Sequence, residues 1–237
     1  MVIAMNKEEI LDQLLTELKV ENISKSYRDN LRLWKKCYDK PNFSLWTDEV
    51  LKLESKFLKK RLAEGKLTNC YKVGEPVIDK LVLWKGDLSR LCVDAIAVPA
   101  TTDIVSLDED LNNIYYYNGM KLRFKCIKAM NGAKLNNGEV LITRSYNIPS
   151  DYIIHVNFDY ATESSFKKTI INILDCARVN MVKTLAVTFS SDILYWKYAY
   201  QVVKEYLKQY GAMFDQILFV PTEDMSMKRF KELMEKI

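Results

Sequence analysis

Between residues 1 and 65 apolar positions recur at three- and four-residue spacing, the period of a helix with one buried face. In NKEEILDQLLTELKV the residues Ile10, Leu11, Leu14, Leu15 and Leu18 share a face. Asn6 is placed to cap this helix, and Glu8 and Glu9 fall in its first turn, where the helix dipole favours acids. A second helix is predicted over residues 26–38, with Leu31, Leu33 and Trp34 inward and Pro41 as its stop. A third is predicted over 46–64, ended by Gly65. Residues 66–79, with Gly74 and Pro76, read as a linker lying over the segment that follows.

From residue 80 the pattern changes. LVLWKGDLSRLCVDAIAVPA (81–100) holds two short apolar runs, 81–84 and 93–98, bounded by Gly86 and Pro99 and separated by a helical turn at 88–91. Short apolar runs punctuated by Gly and Pro predict buried strands. A polar loop then runs into a short helix, followed by a tyrosine run at 115–117 and a helix at 120–130. Strands at 139–144 and 152–157 flank a turn at 146–149. An amphipathic helix at 163–179 turns Phe166, Ile170, Ile173 and Leu174 inward. A strand at 183–189, a helix at 194–210 capped by Gly211, a strand at 216–220 stopped by Pro221 and a closing helix at 226–237 complete the chain. This alternation predicts a three-layer α/β/α domain with a mixed central sheet over residues 70–237, preceded by a small helical extension over 1–69.

Composition narrows the function classes. Of 237 residues 49% are hydrophobic and 28% charged, with a net charge of +4 and both signs interspersed, so no basic footprint for nucleic acid is expected. There is no apolar run of about 18 residues, so no membrane span is expected, and the first residues turn acidic too soon for a signal peptide. A cytoplasmic protein is the expectation. The cysteines Cys37, Cys70, Cys92, Cys126 and Cys176 are scattered, as free buried thiols are. With His155 as the single histidine and no cysteine cluster, no metal site is expected. Seven glycines stand far apart, and no G-x-G-x-x-G or Walker-type loop is present, so no cofactor is expected.

Several blocks, in order, carry a resemblance: Leu83-Trp84-Lys85-Gly86-Asp87-Leu88, Val93-Asp94-Ala95-Ile96, Gly138-Glu139, Ile142-Thr143, Tyr146-Asn147-Ile148-Pro149-Ser150-Asp151-Tyr152-Ile153-Ile154-His155, and Val203-Lys204-Glu205-Tyr206-Leu207. Residues 70–237 resemble a macrodomain, and the helical N-terminus resembles the extension of the zinc-containing bacterial macrodomain hydrolases. The resemblance implies a cleft for ADP-ribose or an ADP-ribosylated protein. The family's adenine-recognising aspartate falls at Asp87, with Leu88 beside it. A carboxylate there can accept from the adenine N6 amine, or can cap the turn at 88–91.

Elsewhere the chain departs from the family. The asparagine that positions the distal ribose falls on Thr101, whose hydroxyl cannot reproduce an amide's donor and acceptor pair. The first phosphate loop becomes Asp103-Ile104-Val105-Ser106-Leu107-Asp108-Glu109-Asp110, without Gly, Cys or His. It reads as a solvated polar loop, with a divalent cation as the alternative. The second phosphate loop aligns with Ser190-Ser191-Asp192, without its glycine. Tyr195 or Trp196 could stack on a base or ribose, or belong to the core. Tyr115 stands where the family has a helix histidine. The run at 115–117 either lines an altered cleft or packs on the N-terminal helices. His155 reads as a packed, hydrogen-bonded structural residue rather than a general base.

The resulting expectation is a divergent, non-hydrolytic macrodomain-like protein. Its binding residues for ADP-ribose or a related adenine nucleotide would be Asp87, Leu88, Thr101, Ser190, Ser191, Asp192 and Tyr195, and no residue is assigned catalysis. One alternative is an active ADP-ribosyl hydrolase using Asp103, Asp108, Glu109 or Asp110. The other is a scaffold for a protein partner with no small ligand.

Overall fold

The computed structural model describes residues 5–39, 41–104, 112–189 and 192–221, with 228, 230 and 232. The chain begins with α1 (Lys7–Glu17), α2 (Tyr27–Asp39) and α3 (Asp48–Ala63). The first helix forms as its pattern predicts. The Asn6 side chain accepts from the Glu8 and Glu9 N–H groups, and Glu9 reaches back to Asn6 N. Ile10, Leu11, Leu14, Leu15 and Leu18 are all buried. The inward stripe of α2 differs from the expected one: it is Asn30, Trp34 and Tyr38, at four-residue spacing, while Leu31 and Leu33 are half-buried. Asn30 is tolerated inside because its Nδ2 donates to Asp12 Oδ1 (2.6 Å) and Ser24 O (2.8 Å), and its Oδ1 accepts from Ser24 N.

Next come β1 (Thr68–Asn69), β2 (Glu75–Ile78), β3 (Leu81–Leu83), β4 (Leu91–Cys92), β5 (Ala95–Pro99), α4 (Asn112–Asn118) and α5 (Met120–Met130). They are followed by β6 (Val140–Arg144), β7 (Tyr152–Val156), α6 (Glu163–Val179), β8 (Thr184–Val187), α7 (Ile193–Tyr210) and β9 (Gln216–Phe219). The segment expected to be a linker is corrected: β1 pairs with β4, and β2 is an edge strand of the main sheet. Pro76 is compatible with β2 because an edge strand can spare an N–H, and the register shifts between Pro76 and Ile78. The tyrosines at 115–117 lie within α4 rather than after it. Gly211 follows α7 with a right-handed φ of −57° and opens a short 3-10 turn, so the helix needs no left-handed cap there. Of the expected closing helix, most residues lie outside those described.

The sheet order is β2-β3-β9-β8-β5-β7-β6. Its five inner strands are parallel, and antiparallel β2 and β6 close the edges. Both faces are buried, so the inner strands are apolar on both sides. Ala95, Ala97, Ile154, Val156, Leu185, Val187, Ile217 and Phe219 face the layer of α6 and α7. Ile96, Val98, Ile153, Ala186, Leu218 and Val220 face α4 and α5. The N-terminal helices pack outside the second layer, in a core that includes Tyr116 and Met120. No helix among the described residues is long and apolar enough to cross a membrane.

Candidate functional site at the carboxyl edge of the sheet

In open α/β sheets ligands bind outside the carboxyl ends of the parallel strands. Here β3, β5 and β8 all end at that edge, so the topology delivers Asp87, Thr101 and Asp192 to one side of the molecule. Each is held by its own loop. Past β3, the chain turns tightly at Gly86, where a Cβ would stand 2.0 Å from the Trp84 ring. Asp87 then caps the 3-10 turn Leu88–Arg90, its Oδ1 accepting from Ser89 N (2.9 Å) and Ser89 Oγ (2.5 Å). Its Oδ2 lies 3.6 Å from Arg90 Nε, and the carboxylate is half-exposed. Thus Asp87 does cap the turn, and the cap consumes only one oxygen.

Past β5, Thr101 Oγ1 donates to Asp103 Oδ1 (2.7 Å). Ile104 closes this turn, buried, with its N–H on Thr101 O and a φ of +57°, a strained value for a β-branched residue. Past β8, Asp192 caps α7 through Leu194 N (2.9 Å). Ser190 and Ser191, and Asp108, Glu109 and Asp110 of the acidic loop, lie outside the described residues.

Of the aromatic candidates, Tyr195 lies at the rim of the α6 and α7 layer and Trp196 lies inside it. Tyr195 is half-buried, edge-on to Tyr160 (4.7 Å between centroids) and against Phe166 (4.8 Å), and its hydroxyl donates to Tyr160 O (3.3 Å). It belongs with α6 and α7, whereas Leu88 packs on the opposite face of the sheet. Trp196 is fully buried and stacks on Phe189 at 3.9 Å, so the suggestion that it might stack on a ligand is corrected.

His155 is fully buried between a Tyr115 hydroxyl at Nδ1 (2.9 Å) and Thr143 Oγ1 at Nε2 (2.9 Å), with Cys126 Sγ at 3.5 Å. One donor and one acceptor nitrogen satisfy both hydroxyls in the neutral ring. Burial pushes its pKa down to about 3 and the Cys126 thiol up to about 12, so neither is a base or nucleophile near neutrality. Tyr115 anchors α4 to the sheet, while Tyr116 and Tyr117 pack on the N-terminal helices, as one of the two expectations for this run had it.

Three residues escaped the sequence reading. Thr188, one residue beyond β8, is fully buried and its hydroxyl has no hydrogen-bond partner. By strand alternation it faces α4 and α5, as Ala186 does. Arg90 stands three residues after Asp87, and Glu54 is one helical turn after Val50 on the inward face of α3. Spacing alone could have flagged the last two.

A mixed seven-stranded sheet with five parallel inner strands, helices on both faces and the candidate residues along the carboxyl edge superposes on the crystal structure of a Trypanosoma brucei macrodomain in complex with ADP. The TM-score is 0.64, with 17% identity over 95% of this chain and 96% of that one. The chain has the macrodomain fold. No protein-family model matches it. Among curated relatives, a GDAP2 homolog of Nematostella vectensis is 25% identical over 164 residues, covering 63% of this chain and 32% of the relative. The ADP-ribose glycohydrolase MACROD2 of Xenopus laevis is 23% identical over 203 residues, covering 80% of this chain and 48% of the relative. The chain thus spans about a third of the GDAP2 homolog and about half of MACROD2.

Proposed function

We propose that this chain is an ADP-ribose-binding module that recognises the nucleotide, free or attached to a protein, without hydrolysing it. Asp87 is the observation that carries the reading. Its Oδ1 is held by Ser89, and the half-exposed side chain leaves Oδ2 as an acceptor for an adenine N6 amine at the edge where such folds bind ligands. Leu88, Thr101, Ser190, Ser191, Asp192 and Tyr195 are the further candidate contacts. The structural neighbour from Trypanosoma brucei, which holds ADP in one crystal and ADP-ribose in another, supports the ligand class. The absence of hydrolysis is inferred from the chemistry at Thr101 and His155: a hydroxyl replaces an amide, and the only histidine is buried, neutral and engaged on both nitrogens. The helical extension, residues 1–69, is read as an accessory unit built onto the domain at 70–237, and the protein as cytoplasmic.

Calorimetric titration with ADP-ribose tests the reading. Micromolar binding by the wild-type chain, lost in Asp87→Ala, is the expected result. The same preparation incubated with a mono-ADP-ribosylated protein should release no ADP-ribose. Release that disappears in Asp103→Ala would establish the hydrolase alternative, and a chain that binds no ADP-ribose at all would be a scaffold.

A further inference from the structure

Asp87 is oriented from two sides, and the second side belongs to the helical extension. Arg90 Nη1 donates to Leu62 O (2.8 Å) and Nη2 to Arg61 O (3.3 Å), carbonyls of the last turn of α3 whose backbone partners, Gly65 N and Glu64 N, stand at a long 3.3 and 3.4 Å, so that each carbonyl has a lone pair to spare. A cation at a helix C-terminus is also favoured by the helix dipole. The guanidinium is planar, so fixing both Nη atoms fixes where Nε points. Nε stands at ion-pair distance from Asp87 Oδ2, 3.6 Å away. Room for this arrangement depends on Gly65, where a Cβ would stand 2.3 Å from Arg90 Nη1. The same C-terminal turn of α3 is itself held to the domain, Arg61 donating to the Tyr117 hydroxyl (3.2 Å) and lying over the Tyr117 ring.

We infer that Arg90 is a positioning residue for base recognition, through which the C-terminus of α3 sets the orientation of the Asp87 carboxylate. This rests on the adenine-nucleotide reading above. With the fork anchored on α3, Oδ2 keeps one weak cationic neighbour at 3.6 Å and retains its outward lone pair for a donor on the base. Without it, the Asp87 side chain is restrained only through Ser89, and Oδ2 is free to turn with the loop. The helical extension then influences which base is bound without touching the ligand.

The probes are ADP-ribose and its hypoxanthine analogue, inosine diphosphate ribose, in which a carbonyl replaces the N6 amine. A carboxylate acceptor distinguishes a donor from an acceptor by about tenfold or more in affinity. The wild-type chain should show that preference, and Asp87→Asn, whose amide presents both a donor and an acceptor, should lose it. Arg90→Met should reduce the preference to within about twofold of Asp87→Asn, and Arg90→Lys should fall between Arg90→Met and wild type, because one ammonium cannot hold two carbonyls and face Asp87 together. Should Arg90→Met fail to fold, the Lys variant carries the test. An equal loss of affinity for both probes, or an unchanged preference in the folded Arg90 variants, would overturn the assignment while leaving the adenine reading standing. A wild-type chain that binds neither probe would overturn that reading and this assignment with it.

Discussion

Glu54 is a carboxyl group with no exposure, on the face of α3 that packs against α5. Its Oε2 accepts from Met120 N (2.8 Å), the first N–H of α5, and its Oε1 accepts from the Tyr38 hydroxyl. Gly119, at φ +84°, precedes α5 without a side-chain cap, so Glu54 supplies the missing cap from another helix. The nearby Arg123 guanidinium is spent on the Tyr38 carbonyl. Burial outweighs these bonds and pushes the Glu54 pKa from 4.5 up to about 7. A pKa raised by folding means that the native state holds the proton more tightly, so this contribution is full below pH 4.5 and lost as pH rises through 7. Over 2.5 units it amounts to about 3 kcal/mol, at 1.36 kcal/mol per unit. His155 acts oppositely. Its pKa falls from 6.5 to about 3 on folding, so its contribution is full above pH 6.5 and lost as pH falls. The two slopes oppose each other between pH 4.5 and 6.5. Wild-type stability should therefore be nearly flat across that window. Glu54→Gln keeps an acceptor for Met120 N–H and removes the titration. The variant should climb by about 3 kcal/mol over the same window, as His155 acts alone. Urea unfolding followed by circular dichroism at half-unit steps from pH 4.5 to 8 measures both curves, and carboxylates elsewhere drop out of the difference. Parallel profiles for the two proteins would refute the reasoning.

Two further outcomes follow from packing. Thr188→Val replaces an unpartnered buried hydroxyl by a methyl of similar size, and should raise stability by about 1 kcal/mol in urea unfolding; a loss of 1 kcal/mol or more would mean that the hydroxyl is bonded in solution. Gly65→Ala should displace the Arg90 guanidinium from Leu62 and Arg61 and cost about 1–2 kcal/mol, with little further loss in the Gly65→Ala, Arg90→Met double variant, because both changes break the same contact.

Legibility in the sequence followed the strength of local signals. The bounds of α5 and α6 are those the periodicity predicts, since each carries a full apolar stripe and a clear start. Segment 66–79 was misread because Gly74 and Pro76 signal a break locally, and only the neighbouring β3 makes Glu75–Ile78 a strand. In α2, Asn30 takes an inward position ahead of the leucines because Asp12 of α1 and Ser24 of the preceding loop satisfy its amide, and the contact with Asp12 is not visible in local spacing. At the candidate site, the cap by Asp87 is a two-residue interaction and could be foreseen. The link from Arg90 to α3 spans 28 residues and could not. Trp196 shows what position can say of an aromatic: helical spacing favours the core, where it lies stacked on Phe189, but does not by itself exclude a ligand platform.

The edge strand β2 has a bearing on how copies of this chain meet one another. An exposed sheet edge is a template for a strand from another molecule. β2 spans four residues, carries a proline in place of one N–H, and shifts register immediately afterwards. An incoming strand would find neither an even spacing nor a complete set of donors to follow. The same Pro76 that disguised the segment as a linker thus makes that border of the sheet a poor seed for aggregation, and keeps growth of the sheet from one molecule into the next from starting there.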